Sequence, residues 1–139
     1  MELTIEQALR QGVVAHQEGK LQDAERLYRA ILQSQPLHPD ANHNLGLIAV
    51  SVNKTDVALP LFKAALESNV NAEQFWLSYI DALVKENHLD NATQVLEQAR
   101  KQGVDREKLD VIAEQLASIN KTETDDSGDP SHAQLNSLF

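Results

Sequence analysis

Three alanines, Ala24, Ala58 and Ala92, are equally spaced along the chain, and whole rows of residues follow them at the same step. Tyr28, Phe62 and Leu96 form one row; Ile31, Ala65 and Ala99 form another. Leu21, Thr55 and Leu89 make a third, and Gly19, Asn53 and Asn87 a fourth. Gly12 and Gly46 begin a fifth, which Ile80 breaks. A fixed period held over three units without an insertion restricts the chain to a stacked-repeat architecture, in which each unit packs on its neighbours.

Each unit reads as two helices. In the first unit, 5–18 and 21–33 both carry apolar residues at three-to-four spacing, the mark of an amphipathic helix. Thr4 followed by Gln7 forms a capping-box pattern, and Asn71 with Gln74 repeats it before the fifth helix. Gly19, Asn53 and Asn87 lie between the two helices of each unit. These residue types best tolerate a left-handed backbone, so one tight turn is expected three times. Pro36 and Pro39 separate the first two units, and Gly103 ends the sixth helix. Asp105 is a good N-cap for a seventh helix over 105–118. Its stripe of Leu109, Ile112, Ala113 and Leu116 suits it to cover the last exposed face. Small residues let paired backbones approach, while Tyr28, Phe62, Leu96 and Trp76 fill the space beside each crossing.

These rows resemble the tetratricopeptide repeat (TPR) family, whose unit is about 34 residues long. Gly12, Gly19, Ala24, Tyr28 and Pro36 fit its pattern in the first unit. Leu45, Gly46, Ala58, Phe62 and Ala65 fit in the second, and Trp76, Ala92 and Ala99 in the third. The departures are Ile31 for alanine, Ile80 for glycine and the missing closing proline of the later units. The resemblance implies an all-α, right-handed superhelix of seven helices. It sets a TPR domain over 1–119, with repeats 5–38, 39–72 and 73–106 and a capping helix over 105–118.

Residues 120–139 change character. Thr122 to Pro130 is acidic and turn-rich and reads as a flexible tail. His132 to Phe139 then reads as the start of a further amphipathic helix, with Leu135, Leu138 and Phe139 on one face. That pattern fits a boundary inside a longer protein or an ordinary frayed terminus.

Several functional classes are disfavoured. The 139 residues hold 12 Lys+Arg against 21 Asp+Glu, a net charge of −9, so no basic face for nucleic acid is expected. There is no cysteine, which excludes disulfides, thiolate metal sites and cysteine nucleophiles. No apolar run approaches the ~20 residues of a membrane span. The first residues are acidic and amphipathic, unlike a signal peptide, so a cytoplasmic location and no membrane insertion are expected. His16, His38, His43, His88 and His132 show no metal-ligand spacing and read as surface histidines. No phosphate loop and no nucleophile elbow occur. No catalytic residue, metal or cofactor is expected. Asn53, Asn91 and Asn120 open sequons that, without a secretion signal, read as unmodified.

The resemblance implies that the first helix of each unit lines a concave groove. It assigns to that groove Leu9, Arg10 and Val13 from the first unit, and His43, Asn44, Leu47 and Val50 from the second. Leu77, Ser78, Asp81, Val84 and Lys85 come from the third. Leu9, Val13, Leu47, Val50, Leu77 and Val84 then form an apolar row, and such a strip rimmed by polar groups usually marks a binding site. It suits a peptide or an amphipathic helix. The competing expectation is that several of these residues pack between neighbouring first helices. The family's chaperone-clamp members hold acidic C-termini with basic residues; Leu9, Val13, Gln74 and Ser78 stand at those positions here, and only Asn44 fits. The leading functional expectation is a non-catalytic protein-interaction module. The alternative is the N-terminal arm of a larger glycosyltransferase- or sulfotransferase-type enzyme. Self-association through an end repeat is a third expectation.

Overall fold

The computed structural model describes residues 3–125, and their side chains as far as 119. Seven helices follow one another: α1 (Ile5–Gln17), α2 (Leu21–Ser34), α3 (Pro39–Ser51), α4 (Thr55–Ser68), α5 (Glu73–Lys85), α6 (Leu89–Gln102) and α7 (Arg106–Asp125). No strand occurs among the described residues. Every helix packs on its chain neighbours. The odd helices also touch each other, α1 on α3, α3 on α5 and α5 on α7, whereas α2, α4 and α6 do not. Two layers result, and the layer whose members touch is the inside of the curve.

The local chemistry sets the helix ends. Thr4 and Gln7 close the expected capping box: the Gln7 N–H donates to Thr4 Oγ1 (3.1 Å) and the Thr4 N–H to Gln7 Oε1 (2.9 Å). Gly19, Asn53 and Asn87 all take left-handed backbone, with φ of 79°, 63° and 62°, so the repeated turn is present. Gly103 ends α6 in the same conformation. The box expected at Asn71 and Gln74 does not form. The N-cap of α5 is Ala72, without a side-chain bond, and the Asn71 N–H donates to Asn69 Oδ1 instead (3.1 Å). Trp76 Nε1 donates to the Val70 carbonyl (2.8 Å), which ties down the chain leading into α5. His38, expected at the surface, is the N-cap of α3, where its Nδ1 accepts from the Ala41 N–H (3.1 Å).

Ala24, Ala58 and Ala92 are fully buried at the crossings. Tyr28 and Phe62 lie directly against the glycines of the paired helix. A Cβ at Gly12 would stand 2.6 Å from Tyr28 Cε1. In the third unit, where the glycine row breaks, Ile80 and Leu96 share one core cluster, both almost fully buried. A branched side chain on α5 there takes the volume that an aromatic ring takes elsewhere, and packing density is kept.

Asp105 caps α7 as expected, its Oδ1 accepting from the Glu107 N–H (3.0 Å). Leu109 and Leu116 are buried, and Ile112 and Ala113 pack against the same cluster. The helix does not stop at Ser118, however. It runs to Asp125, through the first residues of the expected tail, and the rest of that segment lies outside the described residues. Lys121 explains the continuation: it lies one full period after Asn87, in the row that otherwise supplies the left-handed turn. A residue that favours helix there has nothing to end it. The segment holding Leu135, Leu138 and Phe139 lies outside the described residues.

Candidate interaction groove

Because α7 lies beside α5 in the inner layer, it takes the place of the first helix of a fourth unit. A hollow of about 510 Å³ opens between α3, α5 and α7. Leu47 lines it from α3, and Gln74, Leu77, Ser78 and Asp81 from α5. Lys108, Val111, Ile112 and Gln115 line it from α7, and each stands one full period after one of the α5 four. The period thus continues one helix further than the three assigned repeats. Sequence reasoning assigned α7 only as a cover and missed these four residues. Adding one period to the α5 set was the signal that would have found them.

The residues assigned to the groove from sequence divide into three groups. Leu9, Val13, Asn44, Leu47, Val50, Leu77 and Val84 are half-buried. Of these, Leu9, Leu47, Val50, Leu77 and Val84 pack partly against core clusters, so the apolar row is shared between interior and surface. Arg10, Asp81 and Lys85 are exposed, and Lys85 pairs with Asp81 at 3.1 Å.

His43 and Ser78 form the third group, and His43 corrects the sequence reading. They are buried, at 6% and 8% exposure, and His43 Nε2 lies 2.8 Å from Ser78 Oγ. The imidazole is set between Phe62 (centroids 5.5 Å) and Phe75 (4.7 Å). His43 is therefore an interior link between α3 and α5, not an open groove residue. Ser78 lines the hollow with its hydroxyl already engaged. Burial pushes the His43 pKa below the ordinary histidine value, against smaller upward pulls from the Asn44 side chain and the Asp40 carboxylate. Burial between aromatic rings thus favours the neutral imidazole over the charged one.

In the core of the first hairpin, the Tyr28 hydroxyl is buried without a hydrogen-bond partner of good geometry. Burial raises its pKa, and the nearby Asn44 amide offsets this only in part. The α7 wall is held by polar links. Lys108 Nζ lies 2.8 Å from Glu73 Oε2, while Glu73 Oε1 accepts from the Asp105 N–H at 2.9 Å. Arg100 reaches Asp110 at 2.9 Å. Among the described residues, no group of three potential ligands could hold a metal ion, and no helix is long and apolar enough to cross a membrane.

A family model for the tetratricopeptide repeat matches residues 9–51 and 43–105. No curated protein matches the sequence significantly. The Yersinia enterocolitica type III secretion translocator chaperone SycD has the same fold. Its TM-score is 0.74 at 17% identity, over 88% of this chain and 90% of that one. The TPR2B domain of yeast Sti1, solved as a complex with pHsp70, gives 0.74 at 15% identity, over 82% and 96%. A Thermobaculum terrenum O-GlcNAc transferase gives 0.65 at 21% identity, over 76% of this chain but only 21% of that chain. At such identities the likeness is one of fold. The family matches, by contrast, run through all three hairpins and cover well over half of the residues, and the chain belongs to the tetratricopeptide repeat family.

Proposed function

We propose that this chain is a non-catalytic, cytoplasmic interaction module that holds a peptide or an amphipathic helix in the groove walled by α3, α5 and α7. The observation that carries this reading is the hollow itself. Leu47, Leu77, Val111 and Ile112 give it an apolar floor, and Gln74, Asp81, Lys108 and Gln115 give it a polar rim. A concave apolar surface with a few convergent polar groups is the usual form of a binding site. A helix lays its apolar face into such a groove. The Sti1 domain, captured with pHsp70, supports the reading by fold. Leu9, Val13, Gln74 and Ser78 supply no cation for an acidic C-terminus, so a partner held by apolar anchors fits better.

A panel of labelled amphipathic helical peptides, titrated by fluorescence anisotropy, tests this. Val111 is 57% exposed, so Val111→Glu should leave the helical circular dichroism intact. Peptides bound by the wild type should lose at least about tenfold in affinity on that substitution. Unchanged affinity would remove the groove from the account.

A second reading is the arm of a larger transferase, favoured by the match to the transferase structure. An antibody to this domain, used on extracts of the source cell, decides between the two. A species near 15.4 kDa excludes the arm, and a much heavier one supports it.

A further inference from the structure

The two ends of the stack are chemically unlike. At the C-terminal end, α7 exposes Glu114, one period after Ile80, in the row where Gly12 and Gly46 receive an aromatic ring. A carboxylate at the centre of that face resists burial under another helix. At the N-terminal end, α1 and α2 keep an apolar stacking face that no other described helix covers. Two hollows of about 690 Å³ and 390 Å³ open there and share Leu27. Val14 is 50% exposed, whereas Ile48 and Ala82, one and two periods on, are 5% and 1% exposed. The register is identical; a preceding hairpin covers the later two and not the first.

Charge points to what covers it. Residues 3–38 carry four acidic and four basic side chains and are neutral, in a chain of net −9. Residues 107–139 carry a net −5. Apposing two neutral ends keeps the acidic ends apart. The rim of the second hollow holds both signs, as Lys20 with Glu18 and Arg26 with Asp23. A mixed rim can face its own copy across a two-fold axis, each cation meeting an anion of the other chain. On α7 the matching row holds the exposed Glu114, which disfavours a head-to-tail contact.

We infer that two copies of this chain associate through the α1–α2 end face, as a two-fold dimer centred on Val14 and Leu27. Groove binding is not needed for this contact, because the groove lies in the inner layer at the other end of the stack.

Sedimentation equilibrium of the full chain, from micromolar to near-millimolar concentration, tests it. The wild-type mass should rise from 15.4 kDa to twice that value and stop. Val14→Glu should hold the monomer mass with unchanged circular dichroism, while Val111→Glu, on α7, should still dimerise. A wild type that stays monomeric throughout overturns the inference. So does a Val14→Glu chain that dimerises normally, or a mass that grows past the dimer.

Discussion

Gly46 on α3 and Phe62 on α4 are in contact so close that a Cβ on the glycine would stand 2.4 Å from Phe62 Cε1. Phe62 is 1% exposed and has no free space to turn into. Gly46→Ala should therefore destabilise the fold, although alanine is the better helix former by about 1 kcal/mol. Overpacking costs about 1–3 kcal/mol and should win. Ala58→Leu, at a fully buried crossing of the same pair, should cost at least as much. Thermal unfolding followed by far-ultraviolet circular dichroism reads both, and an unchanged Tm for either would show the hairpin register to be wrong.

His43 should make stability depend on pH. Its folded pKa lies below the value of about 6.5 that it regains on unfolding. The unfolded chain then binds the proton more readily, so stability is full above that value and falls as pH drops through the folded pKa. Urea midpoints between about pH 7 and pH 5 should shift downward in the wild type. His43→Gln should flatten that part of the profile. A wild-type profile flat over this range contradicts the assignment.

The Glu73–Lys108 contact is exposed, so it should act locally and be weakened by salt. Glu73 also accepts from the Asp105 N–H at the start of α7. Glu73→Gln should lower hydrogen-exchange protection in α7 while α1 to α4 keep theirs. Both the Lys108 ammonium and the Asp105 N–H hold the Glu73 carboxyl below the usual range. Its contribution is present above the ordinary glutamate pKa and fades as pH falls through the depressed value. Equal loss of protection along the whole chain would refute the local role.

Asn53 and Asn87 hold positive φ in two of the three turns. Asn53→Ala should cost about 1–2 kcal/mol, since a Cβ-bearing residue without a local polar side chain is strained there. Asn53→Gly should be nearly neutral. If both variants melt together with the wild type, the turn is not the constraint it is described as.

What could be read from sequence was what local chemistry decides. The Gly19, Asn53 and Asn87 turns, the Thr4 cap and the alanine crossings depend on residues near in the chain, and they stand where the period put them. The Asn71–Gln74 box failed because α5 starts one residue later, with Trp76 tied to the Val70 carbonyl. His43 was assigned to the groove because its neighbours come from other helices: Phe62, Phe75 and Ser78 meet it only in the folded stack. The α7 wall was overlooked for another reason. Asp110 and Glu114 replace the family's apolar and small residues, and this hid the continuing step from Leu77 to Val111.

No described helix touches any other beyond its second neighbour along the chain. Nothing among the described residues therefore has to wait for distant segments to find one another. Structure can form hairpin by hairpin as the nascent polypeptide leaves the ribosome, each new pair landing on a surface already in place. Each hairpin needs only its immediate neighbours, and α1, closed by the Thr4–Gln7 capping box, can hold its first turn before the later pairs are made.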